Sequence, residues 1–355
     1  MGLVVMKVNF NQSGGSGMLA GLVVLFFLLS ASNPAIASLS RDASKKVAPV
    51  VITLSTNVTS VEIQKALDSL PGSGGEVVLP AGEFAGTQPV VLRRDYQTLR
   101  GAGDTTVLRL AAGADCPVII LGEPLNYPKH TIKHLCVAGL LIDGNRQVQS
   151  RELWHLSGEG SEIRNNGITV QRVSDSVVEN VTCARCRSGG LVTTLDVRRL
   201  TVRHLTSFDN EFDGLACYET EHSAFTDLYL YGNPGAGISL DLAFDDNIIS
   251  NAVLVANDLG VFMRASHDNE FYNLTIHNSH HFGVFMAGHI LEGSQTECAD
   301  NAFTNLTATN CGGAAFRVNN ISCTNNILIG AQFAKNLKGG LSLVRPNLAN
   351  LVKVE

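Results

Sequence analysis

The sequence has few charged and few aromatic residues, and both shortages narrow the possible functions. Of its 355 residues, 16% are charged and 6% are aromatic, with a single Trp. The 26 Lys and Arg residues against 32 Asp and Glu residues give a net charge of −6, which argues against a basic nucleic-acid-binding protein, so no nucleic-acid partner is expected. The chain is also 45% hydrophobic with 34 glycines, which is typical of a folded protein and not of a disordered or coiled-coil one.

The sequence also lacks an apolar run long enough to cross a bilayer. Residues 18–30 form a run of about a dozen apolar residues, against the roughly 20 that a spanning helix needs. Ala35, Ile36 and Ala37 follow it in the small-x-small pattern of signal-peptide cleavage. We therefore expect a signal peptide over residues 1–37, cleaved after Ala37, and a secreted or periplasmic protein without a stable membrane anchor.

Eight cysteines in an exported chain permit full pairing into disulfides. Cys116 and Cys136 are separated in sequence by nearly the repeat length described next, and so are Cys298 and Cys323. Each of these two pairs is therefore predicted to be able to bridge adjacent repeats.

A repeat of about 23 residues runs through the middle of the chain. It is marked by glycines whose spacing is constant to within a single position: Gly167, Gly190, Gly214, Gly237, Gly260 and Gly283. The first and third residues after each Gly are nearly all apolar, as in Ile168 and Val170, so these positions are predicted to point inward from a short strand. The second and fourth positions are then predicted to point outward.

A second column of polar residues recurs midway between the glycines, and it consists mostly of Asn: Asn180, His204, Asp227, Asn251, Asn273 and Asn305. Asn tolerates the left-handed backbone of a tight bend. Short strands at this period without intervening amphipathic helices predict an all-β parallel solenoid, one domain over residues 38–355 with roughly 11 or 12 coils. A β-sandwich would not explain the aligned Gly columns.

The segments TSVEIQKALDSLPGSGGEVVLPAGEF (59–84) and VVLRRDYQTLRGAGDTTVLRL (90–110) resemble the N-terminal start of pectin-lyase-like right-handed parallel β-helix proteins. The resemblance implies a capping helix at about 60–70, for which Ser60 is the expected N-cap. It also implies a carbohydrate-active class that includes polysaccharide lyases, uronate C5-epimerases, glycosidases and inactive modules.

The fourth residue after each Gly forms an outward column, called here the fourth-position column, which comprises Gln171, Thr194, Tyr218, Asp241, Arg264 and Ala287. Because adjacent strands lie about 4.8 Å apart, Tyr218, Asp241 and Arg264 are expected to be neighbours. Arg264 can bind a sugar carboxylate, Tyr218 and His222 can transfer protons, and Asp241 can orient Arg264. The remaining candidate substrate-binding residues are Asp213, Glu219, Phe262, Phe285, His289 and Trp154.

Three functions remain open from the sequence. The first is a lyase or C5-epimerase acting on a uronic-acid-containing polysaccharide. The second is an inverting glycoside hydrolase that uses Asp213 and Asp241, and the third is a noncatalytic polysaccharide-binding or surface protein. No cofactor is expected, because His277, His280 and His281 fall near a bend and no calcium loop is present.

Overall fold

The computed structural model describes residues 50–150, 152, 163–291, 294–345 and 351–355. Residues Ala48–Glu355 form one compact unit. The predicted signal peptide and Trp154 lie outside the described residues. Within the described ranges, no helix has the length and apolar character that crossing a membrane requires.

The described elements are one α-helix, one short 3-10 helix and a long series of short strands. Helix α1 is Ser60–Ser69, and the 3-10 helix is Arg146–Val148. The strands before residue 200 are β1 (Val50–Thr53), β2 (Gly75–Val78), β3 (Gly82–Gly86), β4 (Val90–Leu92), β5 (Gln97–Leu110), β6 (Ile119–Leu121), β7 (Ile132–Lys133), β8 (Cys136–Asp143), β9 (Ile168–Gln171), β10 (Val173–Ser174), β11 (Val177–Ala184), β12 (Leu191–Thr194) and β13 (Val197–Arg198). The later strands are β14 (Thr201–Phe208), β15 (Leu215–Glu221), β16 (Ala224–Tyr231), β17 (Ala236–Asp245), β18 (Ile248–Val255), β19 (Leu259–His267), β20 (Glu270–His277), β21 (Val284–Ala287), β22 (His289–Leu291), β23 (Ser294–Thr296), β24 (Cys298–Ala299), β25 (Ala302–Thr304), β26 (Thr307–Thr309), β27 (Phe316–Val318), β28 (Asn326–Ile329), β29 (Gln332–Ala334), β30 (Leu341–Leu343) and β31 (Val352–Val354).

These strands stack into a parallel β-helix of about 12 turns with about 24 residues per coil, which confirms the predicted fold. The first sheet runs in the order β1-β2-β5-β8-β11-β14-β16-β18-β20-β25-β28-β31, and the second in the order β30-β27-β21-β19-β17-β15-β12-β9-β6-β4. Register partners show the period directly, because Val177 pairs with Thr201, Thr201 with Ala224 and Ala224 with Ile248. Each residue thus pairs with the residue one full coil later.

The core is built from the first and third residues after each Gly of the repeat, as the sequence predicts. All twelve side chains at the first and third positions after the six glycines have 0% exposure, from Ile168 and Val170 through Val284 and Met286. Their period-2 alternation turns each short strand into one wall of a continuous apolar core.

The polar column midway between the glycines forms the predicted bends. All six of its residues, Asn180, His204, Asp227, Asn251, Asn273 and Asn305, have φ between 52° and 58°. Left-handed backbone is costly for most L-residues and least so for Asn, Asp and Gly. The composition of this column is therefore explained by backbone geometry.

Helix α1 covers the N-terminal end of the core, as the resemblance implied. Its N-cap is Thr59 and not Ser60, because the Thr59 side chain accepts a hydrogen bond from the Val61 backbone while the Glu62 carboxylate accepts one from the Thr59 backbone at 3.0 Å. This reciprocal pair is a capping box. Ile63 and Leu67 on the inner face of the helix are fully buried.

The predicted disulfides are absent from the structure, since all eight cysteines are free thiols. Cys298 and Cys323 nevertheless lie within hydrogen-bond reach of each other, and that contact lowers the pKa of the Cys323 thiol. Burial is the main cause that raises the pKa of the Cys116 and Cys136 thiols. A bridge between Cys298 and Cys323 under oxidising conditions therefore stays a prediction.

Candidate functional site

The middle of the fourth-position column lies on three consecutive strands of the second sheet. The register pairs Tyr218 on β15 with Asp241 on β17, and Asp241 with Arg264 on β19. The predicted adjacency of these three residues is confirmed, because the Gly spacing correctly predicts the register of the coils.

Asp241 and Arg264 form a bidentate ion pair. The Arg264 Nε donates to Asp241 Oδ1 and Oδ2, both at 2.9 Å, and Nη2 donates to Oδ2. Asp241 is only 3% exposed, and its Oδ1 also accepts the Leu242 backbone N–H at 2.8 Å. The buried carboxylate thus fixes the guanidinium, whose side chain keeps 35% of its surface exposed.

Two aromatic rings continue the outward face beside Arg264. The Phe262 and Phe285 rings stack with centroids 6.1 Å apart and planes inclined by 12°, and Phe282 packs against Phe285 at 5.3 Å. The Arg264 Cζ lies 5.8 Å from the Phe262 ring centroid. Arg317 is the register partner of Phe285 on the next coil. Arg264 and Arg317 therefore border the flat apolar surface of the two rings on this face.

A cavity of about 240 Å³ opens next to Tyr218. Its floor is the outward face of β9, β12 and β15, including Gln171 and Thr194 from the fourth-position column. Its walls come from two connections that leave the solenoid, and they include Asn126, Tyr127, Ile163 and Arg164. Glu219 and Leu242 also line the cavity. Sequence reasoning identified Tyr218 and Glu219 but missed the wall residues, because nothing in the repeat shows where an inserted connection folds back.

Arg164 is the cation of this cavity. Its Nε donates to the buried Glu152 carboxylate at 3.1 Å, and its Cζ lies 4.7 Å from the Phe212 ring centroid. Glu152 is 3% exposed. As at Asp241, a buried carboxylate positions an arginine that is itself partly exposed.

Two carboxyl groups near the cavity have raised pKa values. Partial burial is the main cause that raises the pKa of Glu219, and the neighbouring Asp196 raises it further, whereas Arg172 lowers it. Burial raises the pKa of Asp213 to about 6, although the Ala236 backbone N–H donates to its Oδ1 at 2.6 Å. A raised pKa keeps a carboxyl group protonated closer to neutral pH, as a proton donor requires.

Two other predicted site residues, His222 and His289, are not among the described residues that line the cavity. His222 follows the bend at Glu219, is exposed, and has its Nδ1 3.9 Å from Asp246 Oδ2. His289 begins the hairpin of β22 and β23, and nothing is described of its side chain. Within the described ranges, no three or more His, Cys, Asp or Glu residues form a group that could hold a metal ion.

A family model described as "Periplasmic copper-binding protein (NosD)" matches residues 139–343 of the chain. The chain belongs to the NosD family. Among curated protein sequences, none matches this NosD-family chain. The match covers the second sheet from β9 to β30, and so includes the cavity floor and the Asp241–Arg264 pair.

Solved structures share the fold of this NosD-family chain at low sequence identity. ORF18 of Geobacillus virus E2 is 14% identical with a TM-score of 0.64, over 82% of this chain and 59% of the viral one. The A-module of the Azotobacter vinelandii mannuronan C-5 epimerase AlgE4 is 18% identical with a TM-score of 0.51, over 81% and 94%. Pectate lyase Pel9A is 10% identical with a TM-score of 0.57, over 83% and 79%. These similarities show that the chain shares the parallel β-helix fold of these proteins.

Proposed function

We propose that this chain binds a uronic-acid-containing polysaccharide along the outward face of the second sheet and removes the C5 proton of one uronate unit. The observation that carries the proposal is the position of Tyr218. Its side chain lines the cavity and lies in register with the fixed Asp241–Arg264 pair. A phenol that can exchange a proton thus lines the same cavity as Arg164 and lies two strands from Arg264, and both arginines can bind carboxylates.

Removal of the C5 proton leads to either of two products. In β-elimination the C5–H electron pair forms a C4–C5 double bond, the C4–O bond to the leaving sugar breaks, and the leaving oxygen receives a proton. In C5 epimerisation the C5–H bond breaks and a proton returns to C5 from the opposite face. Both reactions require a base, an acid and a group that stabilises the charge developing on the sugar carboxylate.

The described residues supply candidates for each requirement. Arg164 and Arg264 are partly exposed guanidiniums that can bind the uronate carboxylate. Tyr218 and Glu219 line the same cavity and can serve as the proton-transfer pair. Asp241 is a positioning residue, because its carboxylate contacts Arg264 and is nearly inaccessible. The aromatic rings of Phe262 and Phe285 can stack against sugar faces further along the polymer.

The family description mentions copper, but the described residues do not fit a copper site. Copper in proteins is held chiefly by His, Cys and Met ligands, and no group of three or more His, Cys, Asp or Glu with suitable geometry occurs within the described ranges. His267 and His281 are each paired with a carboxylate, Asp245 and Asp258, at 3.0 and 2.6 Å. No step of the proposed reaction uses a metal ion.

An inverting hydrolase based on Asp213 and Asp241 is less well supported. Such an enzyme needs one carboxyl group as a general acid and one carboxylate that activates water. Both oxygens of Asp241 accept hydrogen bonds from Arg264, and Asp241 is 3% exposed. The pKa of Asp213, raised to about 6, suits a general acid, but the second group is not available to a water molecule.

Incubation of the protein with alginate, pectate and glucuronan tests the proposal. Elimination is expected to raise ultraviolet absorbance, or epimerisation to change the ratio of epimeric uronates, with one of the three polymers. Tyr218→Phe should abolish that change, whereas Tyr231→Phe, on the outward face of the first sheet, should leave it intact. New reducing ends without absorbance would instead identify a hydrolase, and binding without any product would identify a noncatalytic protein.

A further inference from the structure

The connection from β6 to β7, residues 122–131, leaves the solenoid at the end of the fourth-position column. Ile119 and Leu121 pair with Ile168 and Val170, so Gly122 occupies the position that Gln171 occupies on the next coil. Gly122 has a φ of +112°, and a Cβ there would lie 2.1 Å from the Gln171 backbone oxygen. Only glycine fits this turn, at which the chain leaves the strand and projects outward.

Loop 122–131 is fixed in place and projects over the outward face. Gln171, which is 2% exposed, donates its side-chain N–H to the Glu123 and Leu125 carbonyls, the latter at 2.9 Å. The Glu123 carboxylate lies 2.7 Å from His130 Nδ1 and accepts the His130 backbone N–H at 3.1 Å, which closes the base of the loop. The tip is solvated, with Tyr127 70% exposed.

The loop therefore forms a wall at the N-terminal side of the cavity. Asn126 and Tyr127 line the same cavity as Tyr218. On the next five coils the corresponding connection is much shorter, for example Glu219 alone between Tyr218 and Thr220. The outward face consequently continues from the cavity toward Arg264 and Phe285, while residues 122–131 stand across its other end.

A second insertion leaves the same edge of the second sheet six strands further on. The hairpin of β22 and β23 follows Ala287, the last residue of the fourth-position column. The order β6-β9-β12-β15-β17-β19-β21 separates the two insertions by six strand spacings, or roughly 29 Å at about 4.8 Å each. The face between them is long enough for several sugar units.

We propose that this protein recognises an end of the polysaccharide chain, with the terminal uronate in the cavity against loop 122–131 and the rest of the polymer running over Arg264, Phe262 and Phe285. This inference rests on the proposed function for its substrate class. The wall excludes a polymer that continues past Gln171 and so selects for chain ends. Chain-end recognition distinguishes the site from an open groove, which binds at any point along a polymer.

Equilibrium binding tests this inference without requiring turnover. The titrations use the Tyr218→Phe variant with alginate, pectate and glucuronan, each as long polymer and as hexamers, compared at equal total uronate. Chain-end recognition predicts that the hexamers of the bound polysaccharide compete at least about tenfold better per sugar than the polymer. It also predicts one bound protein per polymer chain, or two if both ends are accepted.

Variants of loop 122–131, each made in the Tyr218→Phe background, test whether the loop causes the preference for hexamers over polymer. Replacing residues 123–131 with a short bend should remove the preference for hexamers. Tyr127→Ala leaves the loop at full length and should weaken the preference, so it tests the loop if the shortened variant does not fold. Tyr229→Ala, a 45% exposed aromatic on the first sheet, is the matched control and should retain it. Equal affinity per sugar for hexamer and polymer, or a preference unchanged in both loop variants, would overturn chain-end recognition alone. Absence of binding to any uronate polymer would instead overturn the proposed function.

Discussion

Asp241 is a carboxylate at 3% exposure whose charge is compensated by Arg264. Burying a carboxylate is costly, and the pair with Arg264 recovers that cost only while both partners are present. The same residues therefore serve stability and the proposed chemistry, so loss of activity on mutation of Arg264 does not by itself demonstrate a role in the reaction.

Arg264→Ala is expected to lower the free energy of unfolding by about 3 kcal/mol, because it leaves a buried carboxylate unpaired. The double variant Asp241→Asn with Arg264→Ala should recover part of that loss. Arg199→Ala removes the exposed pair with Asp175 and should cost much less, because water screens an exposed ion pair. Urea denaturation of the four proteins measures these differences, and equal losses for Arg264→Ala and Arg199→Ala would contradict this account.

At the residue scale the sequence predicts more of the register than of the chemistry. The Gly spacing predicts that Tyr218, Asp241 and Arg264 lie side by side, and the structure agrees. It cannot predict the contribution of Arg164, because that residue reaches the cavity from an inserted connection outside the repeat. The strand pattern puts His222 near Tyr218, but His222 follows a left-handed bend at Glu219, which a periodicity argument does not detect.

At the scale of elements, buried asparagines tie successive coils together. One ladder joins Asn247, Asn269, Asn301 and Asn326, whose amides donate to the next oxygen at 3.3, 2.9 and 3.0 Å. All four side chains are at most 1% exposed. Each amide also satisfies backbone groups, so the ladder provides hydrogen-bond partners where the chain turns inside the protein.

Asn269→Ala should be strongly destabilising, by about 3 kcal/mol, because it removes partners of the buried Asn247 backbone N–H and the Phe244 carbonyl. Asn251→Gly is the matched control, since Asn251 belongs to an exposed ladder and Gly preserves its left-handed backbone. Its cost is expected to be below about 1 kcal/mol, as for most surface substitutions. Thermal unfolding compares the two variants, and a smaller effect for Asn269→Ala would show that the buried ladder contributes little.

The elements that interrupt the repeat could not be predicted from its periodicity. The hairpin of β22 and β23 lengthens one coil, so Val284 pairs with Phe316, well beyond the usual repeat length. Loop 122–131 lies before the first aligned Gly of the repeat. In both cases the sequence shows only that extra residues are present, and the direction in which they fold is decided by contacts such as those of Gln171.

At the scale of the whole molecule, a chain with a net charge of −6 is proposed to bind a polyanion. Local charge resolves part of this conflict, because Arg164, Arg264 and Arg317 lie on or beside the outward face of the second sheet. Each is partly exposed, so each can face a sugar carboxylate at short range. The solenoid, which the sequence predicted almost completely, sets the spacing of Arg264 and Arg317 along the molecule.

The central claim is that Tyr218 takes part in removing the C5 proton of a uronate. Loss of deuterium from a polymer labelled at C5 tests it most directly, because both elimination and epimerisation release that label, whereas hydrolysis and simple binding do not. We expect release by the wild-type protein, a decrease of at least about a hundredfold in Tyr218→Phe, and wild-type release in Tyr231→Phe. Retention of the label by the wild-type protein on alginate, pectate and glucuronan, or unchanged release by Tyr218→Phe, would contradict the claim.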